Sequence, residues 1–159
     1  MNFTKYNQDA KGSISVSRNK KVASFISDGD ANLDKDTVDS FGEEWLKFNA
    51  FTDDEIHVAG SQYFDIVDDT VLDQNSIVLD LGCGSGRWTK FIAKKVKLVE
   101  AVDPSLAIFS AAKLNENEQN VRITQASVSN IPFHDNTFDF VVCLGVLHHI
   151  PNTESALKD

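Results

Sequence analysis

Apolar positions in the second half of the chain come in short runs divided by polar or glycine-bearing stretches. The runs at 77–81, 98–102, 121–124 and 138–144 have the length of strands and are rich in Val, Ile, Leu and Phe. Continuous apolar runs of that length fit a parallel sheet covered on both faces. Between them the period changes. Trp88, Phe91, Ile92 and Val96 mark one face of a helix over 87–96, and a second helix is expected over 105–117, closed by Asn115-Glu116-Asn117-Glu118. Asn152-Thr153-Glu154-Ser155 caps one more helix. Strands alternating with helices predict an open parallel α/β sheet with right-handed crossovers and helices on both faces.

Before residue 76 the pattern is helical and aromatic. Ser40-x-x-Glu43 reads as a capping box opening a short helix with Phe41, Trp45 and Phe48 on one side. Thr52-x-x-Glu55 reads as a second, opening a longer helix with Ile56, Gly60, Tyr63, Val67 and Val71 along one face. Two uses fit this aromatic stripe: packing against the sheet, or forming a lid over a ligand site. Residues 1–39 read as an irregular polar segment with at most one short strand at 21–26. The expected division is therefore 1–39, 40–75 and 76–159.

The first strand and the first helix of the sheet region meet at Gly82, Gly84 and Gly86, on alternate positions. Such a turn lets the backbone adopt positive φ and approach a ligand with no Cβ in the way, and the N–H groups beyond it favour an anionic group. The dinucleotide fingerprint would need a third glycine at position 87, which is Arg87. The second strand ends at Asp103, twenty-one residues after Gly82. A carboxylate at that strand tip is where open α/β nucleotide sites hold a ribose hydroxyl pair. Asp103-Pro104-Ser105 also reads as a helix start, and the two readings are compatible.

Composition narrows the classes. The 159 residues are 42% hydrophobic, enough for one domain with a core. A net charge of −9 argues against a phosphate-backbone binder, whose affinity comes from Lys and Arg. No apolar run approaches a membrane span, and no secretory signal opens the sequence. Cys83 and Cys143 are the only cysteines, which leaves no cysteine zinc cluster, disfavours a disulfide, and points to a cytoplasmic protein with reduced thiols.

Val78-Leu79-Asp80-Leu81-Gly82-Cys83-Gly84-Ser85-Gly86 resembles motif I of the class I S-adenosylmethionine-dependent methyltransferases, type 11-like. Glu100-Ala101-Val102-Asp103-Pro104-Ser105 is similar to that family's second motif. Residues 131–141 and Val146-Leu147-His148-His149-Ile150 resemble the segments around its fourth strand. The resemblance implies a Rossmann-like fold with an N-terminal helical extension, and S-adenosyl-L-methionine as cofactor with S-adenosyl-L-homocysteine as product. It places Gly82, Cys83 and Gly84 beneath the methionine part, with Gly86 completing the turn and Asp80 holding it, reaching the ammonium directly or through water. Asp103 would take both ribose hydroxyls, with Pro104 beside it at the same tip. Ser127, where the family often has an acid, would accept from the adenine amino group, and the N–H of Val128 would read adenine N1. Leu144 would stand near the sulfonium methyl. Leu106 and Ile131 are apolar walls for the ring or plain core. In layout, residues 1–39 resemble the small zinc ribbon that precedes some methyltransferase domains, but without cysteine no metal is expected.

The resemblance assigns no catalytic residue. His148 and His149 are either a general base or a structural pair, and methyl transfer from a sulfonium needs no base. The acceptor is expected to be a small or medium-sized molecule, with no nucleic acid or membrane partner. The family's sheet has seven strands and this chain carries four of them, so a piece of a longer protein is expected. An apolar fourth strand at the edge would invite self-association by strand exchange. A silent or truncated cofactor-binding module that needs a partner chain is the alternative function. A nucleotide-dependent oxidoreductase is disfavoured by Arg87.

Overall fold

The computed structural model of the protein describes residues 2–18, 20–27, 33–48, 50–68 and 70–157. It is a mixed α/β structure around one six-stranded sheet. The strands are β1 (Gly12–Ser15), β2 (Lys21–Ser24), β3 (Ile77–Leu81), β4 (Leu98–Asp103), β5 (Val121–Gln125) and β6 (Phe140–Val142), in the order β1-β2-β5-β4-β3-β6. All neighbours are parallel except the β1–β2 hairpin. The order reverses at β3, which lies between β4 and β6, and this opens a crevice at the carboxyl ends of the strands.

The register sorts side chains onto two faces. Val78, Val99 and Val121 form one row, and Asp80, Ala101 and Ile123 the next, facing α2 (Asp53–Tyr63), α3 (Arg87–Ala93) and α4 (Ile108–Leu114). The opposite face carries Leu79, Leu81 and Val102, packed with Phe25, Ala126 and Phe133. In the middle of this second face, Glu100 is fully buried beside Arg122, which donates to it from Nε and Nη2 at 2.7 and 2.9 Å. The Thr4 amide donates to the same carboxylate, and the Thr4 carbonyl accepts from Arg122 at 2.6 Å. This buried pair thereby fixes the N-terminal segment across the sheet. Burial still holds the Glu100 carboxyl above its ordinary range, with Arg122 acting against it.

Several elements differ from the sequence expectations. The region read as irregular supplies two strands, because β2 extends the sheet beside β5: Phe25 N donates to Gln125 O at 2.8 Å. The first helix, α1 (Lys35–Lys47), starts earlier than expected; Asp34 caps it by accepting from Asp36 N and Thr37 Oγ1, so Ser40 and Glu43 lie inside it. The Thr52–Glu55 capping box at α2 forms as read, but the helix stops at Tyr63, and Val67 and Val71 lie beyond it. Gly60 lets α2 approach α3 closely, since a Cβ there would collide with the Phe91 ring. β6 is shorter than expected. Val141 is 51% exposed and Val142 buried, so the strand is not covered on both faces. The last helix, α5 (Thr153–Ala156), is capped by Asn152 as expected.

Candidate functional site

The site grows from the turn after β3. Gly82, Gly84 and Gly86 have φ of +76°, +52° and +79°, values that L side chains rarely adopt. The Gly82 and Cys83 amides both donate to Val102 O, at 2.7 and 3.0 Å, pinning the turn to β4. At the tip of β4, Asp103 Oδ2 accepts from the Gly84 amide at 2.8 Å, while Oδ1 accepts from the Ser105 amide and hydroxyl at 2.8 and 2.6 Å. Glycine turn and second-strand carboxylate therefore face the same crevice and are bonded to each other.

A cavity of about 240 Å³ fills that crevice. Gly82, Cys83 and Gly84 form its floor, Asp103 and Pro104 one wall, Ser127 and Val128 another, and Leu144 stands at the tip of β6. Asp80 and Gly86 are not on its surface. The Asp80 side chain points to the α3 face, where it accepts from Thr89 Oγ1 at 2.5 Å. Burial pushes its carboxyl up to about 6, the charge of Asp103 adds to the rise, and the Thr89 hydroxyl works against it. Gly86 is a packing position, since a Cβ there would stand 2.6 Å from Asn115 Nδ2 and 2.9 Å from Ala111 Cα. Burial pushes the Cys83 thiol well above its ordinary range, which leaves it a neutral wall rather than a nucleophile.

Of the two helices that fitted either core or lid, α2 packs on α3 and α1 crosses the cavity. Thr37, Phe41 and Trp45 of α1 line it. The Trp45 indole lies so close over the turn that a Cβ on Gly84 would be 3.1 Å from Nε1. Gly42 lets α1 approach the segment after β4, where its Cβ position is 3.1 Å from Leu106 N. Leu106 itself is 47% exposed and is not a cavity wall, and Ile131 packs in the second core cluster. His149 reaches the cavity and meets the Phe41 ring edge-on at 4.6 Å; His148 stacks behind it, off the cavity surface. Arg87, Trp88 and Val146 also line the site and were not read from the sequence as site residues. Val146 closes tightly on the turn, since a Cβ on Gly82 would collide with its side chain, a contact between distant segments that no sequence pattern announces. Among the described residues no group of three His, Cys, Asp or Glu could hold a metal ion, and no helix is long and apolar enough to cross a membrane.

The chain is similar to known proteins in sequence and in fold. A demethylmenaquinone methyltransferase from Geobacillus is 36% identical over 93 residues, covering 51% of this chain and 37% of its own. A ubiquinone biosynthesis O-methyltransferase from Coxiella burnetii is 26% identical over 133 residues, covering 80% of this chain and 56% of its own. The chain thus spans about a third to just over half the length of these curated relatives. The solved structure of a SAM dependent methyltransferase from Aquifex aeolicus shares the fold, with a TM-score of 0.61 at 20% identity over 74% of this chain and 63% of its own. Residues 79–159, from β3 through the glycine turn to the end of the chain, match the family described as a methyltransferase domain, and the protein belongs to that family.

Proposed function

We propose that this site binds S-adenosylmethionine and serves methyl transfer to a small or medium-sized acceptor. The observation that carries the reading is the Gly84 amide bonded to Asp103 Oδ2 at 2.8 Å on the cavity floor. The cradle fits the cofactor. Gly82 and Gly84, both at positive φ, put no side chain on its base. Each carboxylate oxygen has two acceptor positions; Ser105 takes both on Oδ1, so Asp103 keeps one, on Oδ2 beyond the Gly84 bond, for one ribose hydroxyl rather than the expected pair. Ser127 and the Val128 amide serve the adenine edge, Pro104 and Leu144 supply apolar wall, and Cys83 is a neutral floor beneath the methionine part. Asp80 acts from behind the turn, where its buried charge favours a cationic ligand; Gly86 acts by holding the turn on α4.

When bound, the cofactor supplies an activated methyl on a sulfonium. The chain's own contribution is orientation and exclusion of water, with α1 closing over the cavity. Holding two reactants in line contributes up to ~7–11 kcal/mol. The free thiols Cys83 and Cys143 support a reducing, cytoplasmic setting. β6 bonds to β3 alone among the described strands, and its half-exposed edge supports self-association, which sedimentation velocity reads directly.

Calorimetric titration tests the cofactor reading. S-adenosylhomocysteine is expected to bind, and Asp103→Ala to weaken it about tenfold or more, the loss of a charge-assisted bond of ~1.5–3 kcal/mol. Preference for a nicotinamide dinucleotide over S-adenosylhomocysteine would end the reading.

A further inference from the structure

Arg87 stands at the cavity, held against aromatic rings. Its guanidinium carbon lies over the rings of Trp45, Phe51 and Trp88, at 5.5, 5.5 and 4.5 Å from their centres. Among the described residues none offers it a hydrogen-bond acceptor or an ion-pairing carboxylate. Acids outnumber bases by 24 to 15 in this chain, so a lone arginine is not a matter of scarcity. The two carboxylates on the same cavity bond to other groups, Asp103 to Gly84 and Ser105, Asp34 to Thr37 and the start of α1, and neither forms an ion pair with Arg87. Arg87 is also the one Lys or Arg among the lining residues described.

Ring faces hold a guanidinium by its π surface and fix its plane, but they use none of its five in-plane N–H donors. A fork held this way is preorganised for two parallel bonds to a carboxylate. We infer that Arg87 receives a carboxylate carried by the methyl acceptor, whose apolar body lies against Trp45 and Trp88. This rests on the methyltransferase reading of the cavity. The methionine end of the cofactor offers the same chemistry, so the test separates the two sources.

Trp45 and Trp88 are the only tryptophans, and both flank Arg87, so tryptophan emission reports on its surroundings. The probes are phenylacetate and its neutral isostere phenylacetamide, titrated into the full chain with and without saturating S-adenosylhomocysteine. The acid is expected to bind about tenfold tighter than the amide, the worth of one charge-assisted pairing. Arg87→Met should erase that gap and Arg87→Lys restore part of it. Equal response to acid and amide in the unmodified protein, which needs no variant, would overturn the inference. Arg87→Met should leave S-adenosylhomocysteine and 5′-methylthioadenosine affinities unchanged. Selective weakening of S-adenosylhomocysteine would assign Arg87 to the cofactor's carboxylate and overturn the acceptor assignment. Failure of S-adenosylhomocysteine to bind would sink the proposed cofactor, while the acid–amide gap measured without it would still decide on Arg87.

Discussion

Asp80 offers a sharp test of how the site is built. Its carboxylate is 2% exposed, accepts from Thr89, and is pushed up to about 6 from an ordinary 3.8. That rise corresponds to about 3 kcal/mol between the two protonation states. The folded state binds the proton more tightly than the unfolded state. Stability is therefore fully present below about pH 4, is lost as pH rises to about 6, and is flat above that. Asp80→Asn removes the titration and keeps an oxygen to accept from Thr89. Its new amide donors cost about 1–3 kcal/mol if they find no partner, but that cost does not depend on pH. Urea denaturation at a series of pH values is the assay. The stability difference, variant minus wild type, should grow by about 3 kcal/mol between pH 4 and pH 7, and the exposed carboxylates elsewhere cancel from it. A difference that stays constant across that window would refute a charge buried at Asp80.

Other perturbations probe the rest of the assembly. Gly82→Ala combines φ of +76° with a Cβ 2.2 Å from Val146 Cγ2, and should cost about 2–4 kcal/mol in thermal denaturation, partly recovered by adding Val146→Ala. Arg122→Met strands the fully buried Glu100 and should cost about 3–5 kcal/mol in urea denaturation, with Glu100→Gln in the same chain recovering most of it. Trp45→Ala uncovers the turn at Gly84 without touching the sheet, so S-adenosylhomocysteine should leave faster in stopped-flow displacement while the melting temperature changes less than for Gly82→Ala. An unchanged release rate would show that α1 does not close the site.

Sequence alone determined the central strands, the glycine turn, the Thr52 cap and the placing of Asp103, because each is written in a few adjacent residues. Apolar runs of strand length, alternate glycines and a capping box act through local sterics and local hydrogen bonds. The tertiary structure decided what no period encodes. Ser24 meets Gln125 across 101 residues and makes a polar segment part of the sheet. A run read as uniformly apolar turns Glu100 to the far face, where Arg122 and the Thr4 backbone satisfy it. Two similar aromatic helices take opposite roles: Gly60 admits the Phe91 ring and seats α2 in the core, while Gly42 lets α1 lie over the segment after β4 and hang Trp45 above the turn. Asp80 stands behind the floor and Arg87 at the cavity because alternation along β3 and the first turn of α3 direct them there. Such assignments depend on which surfaces meet, and that is settled only when distant segments pack.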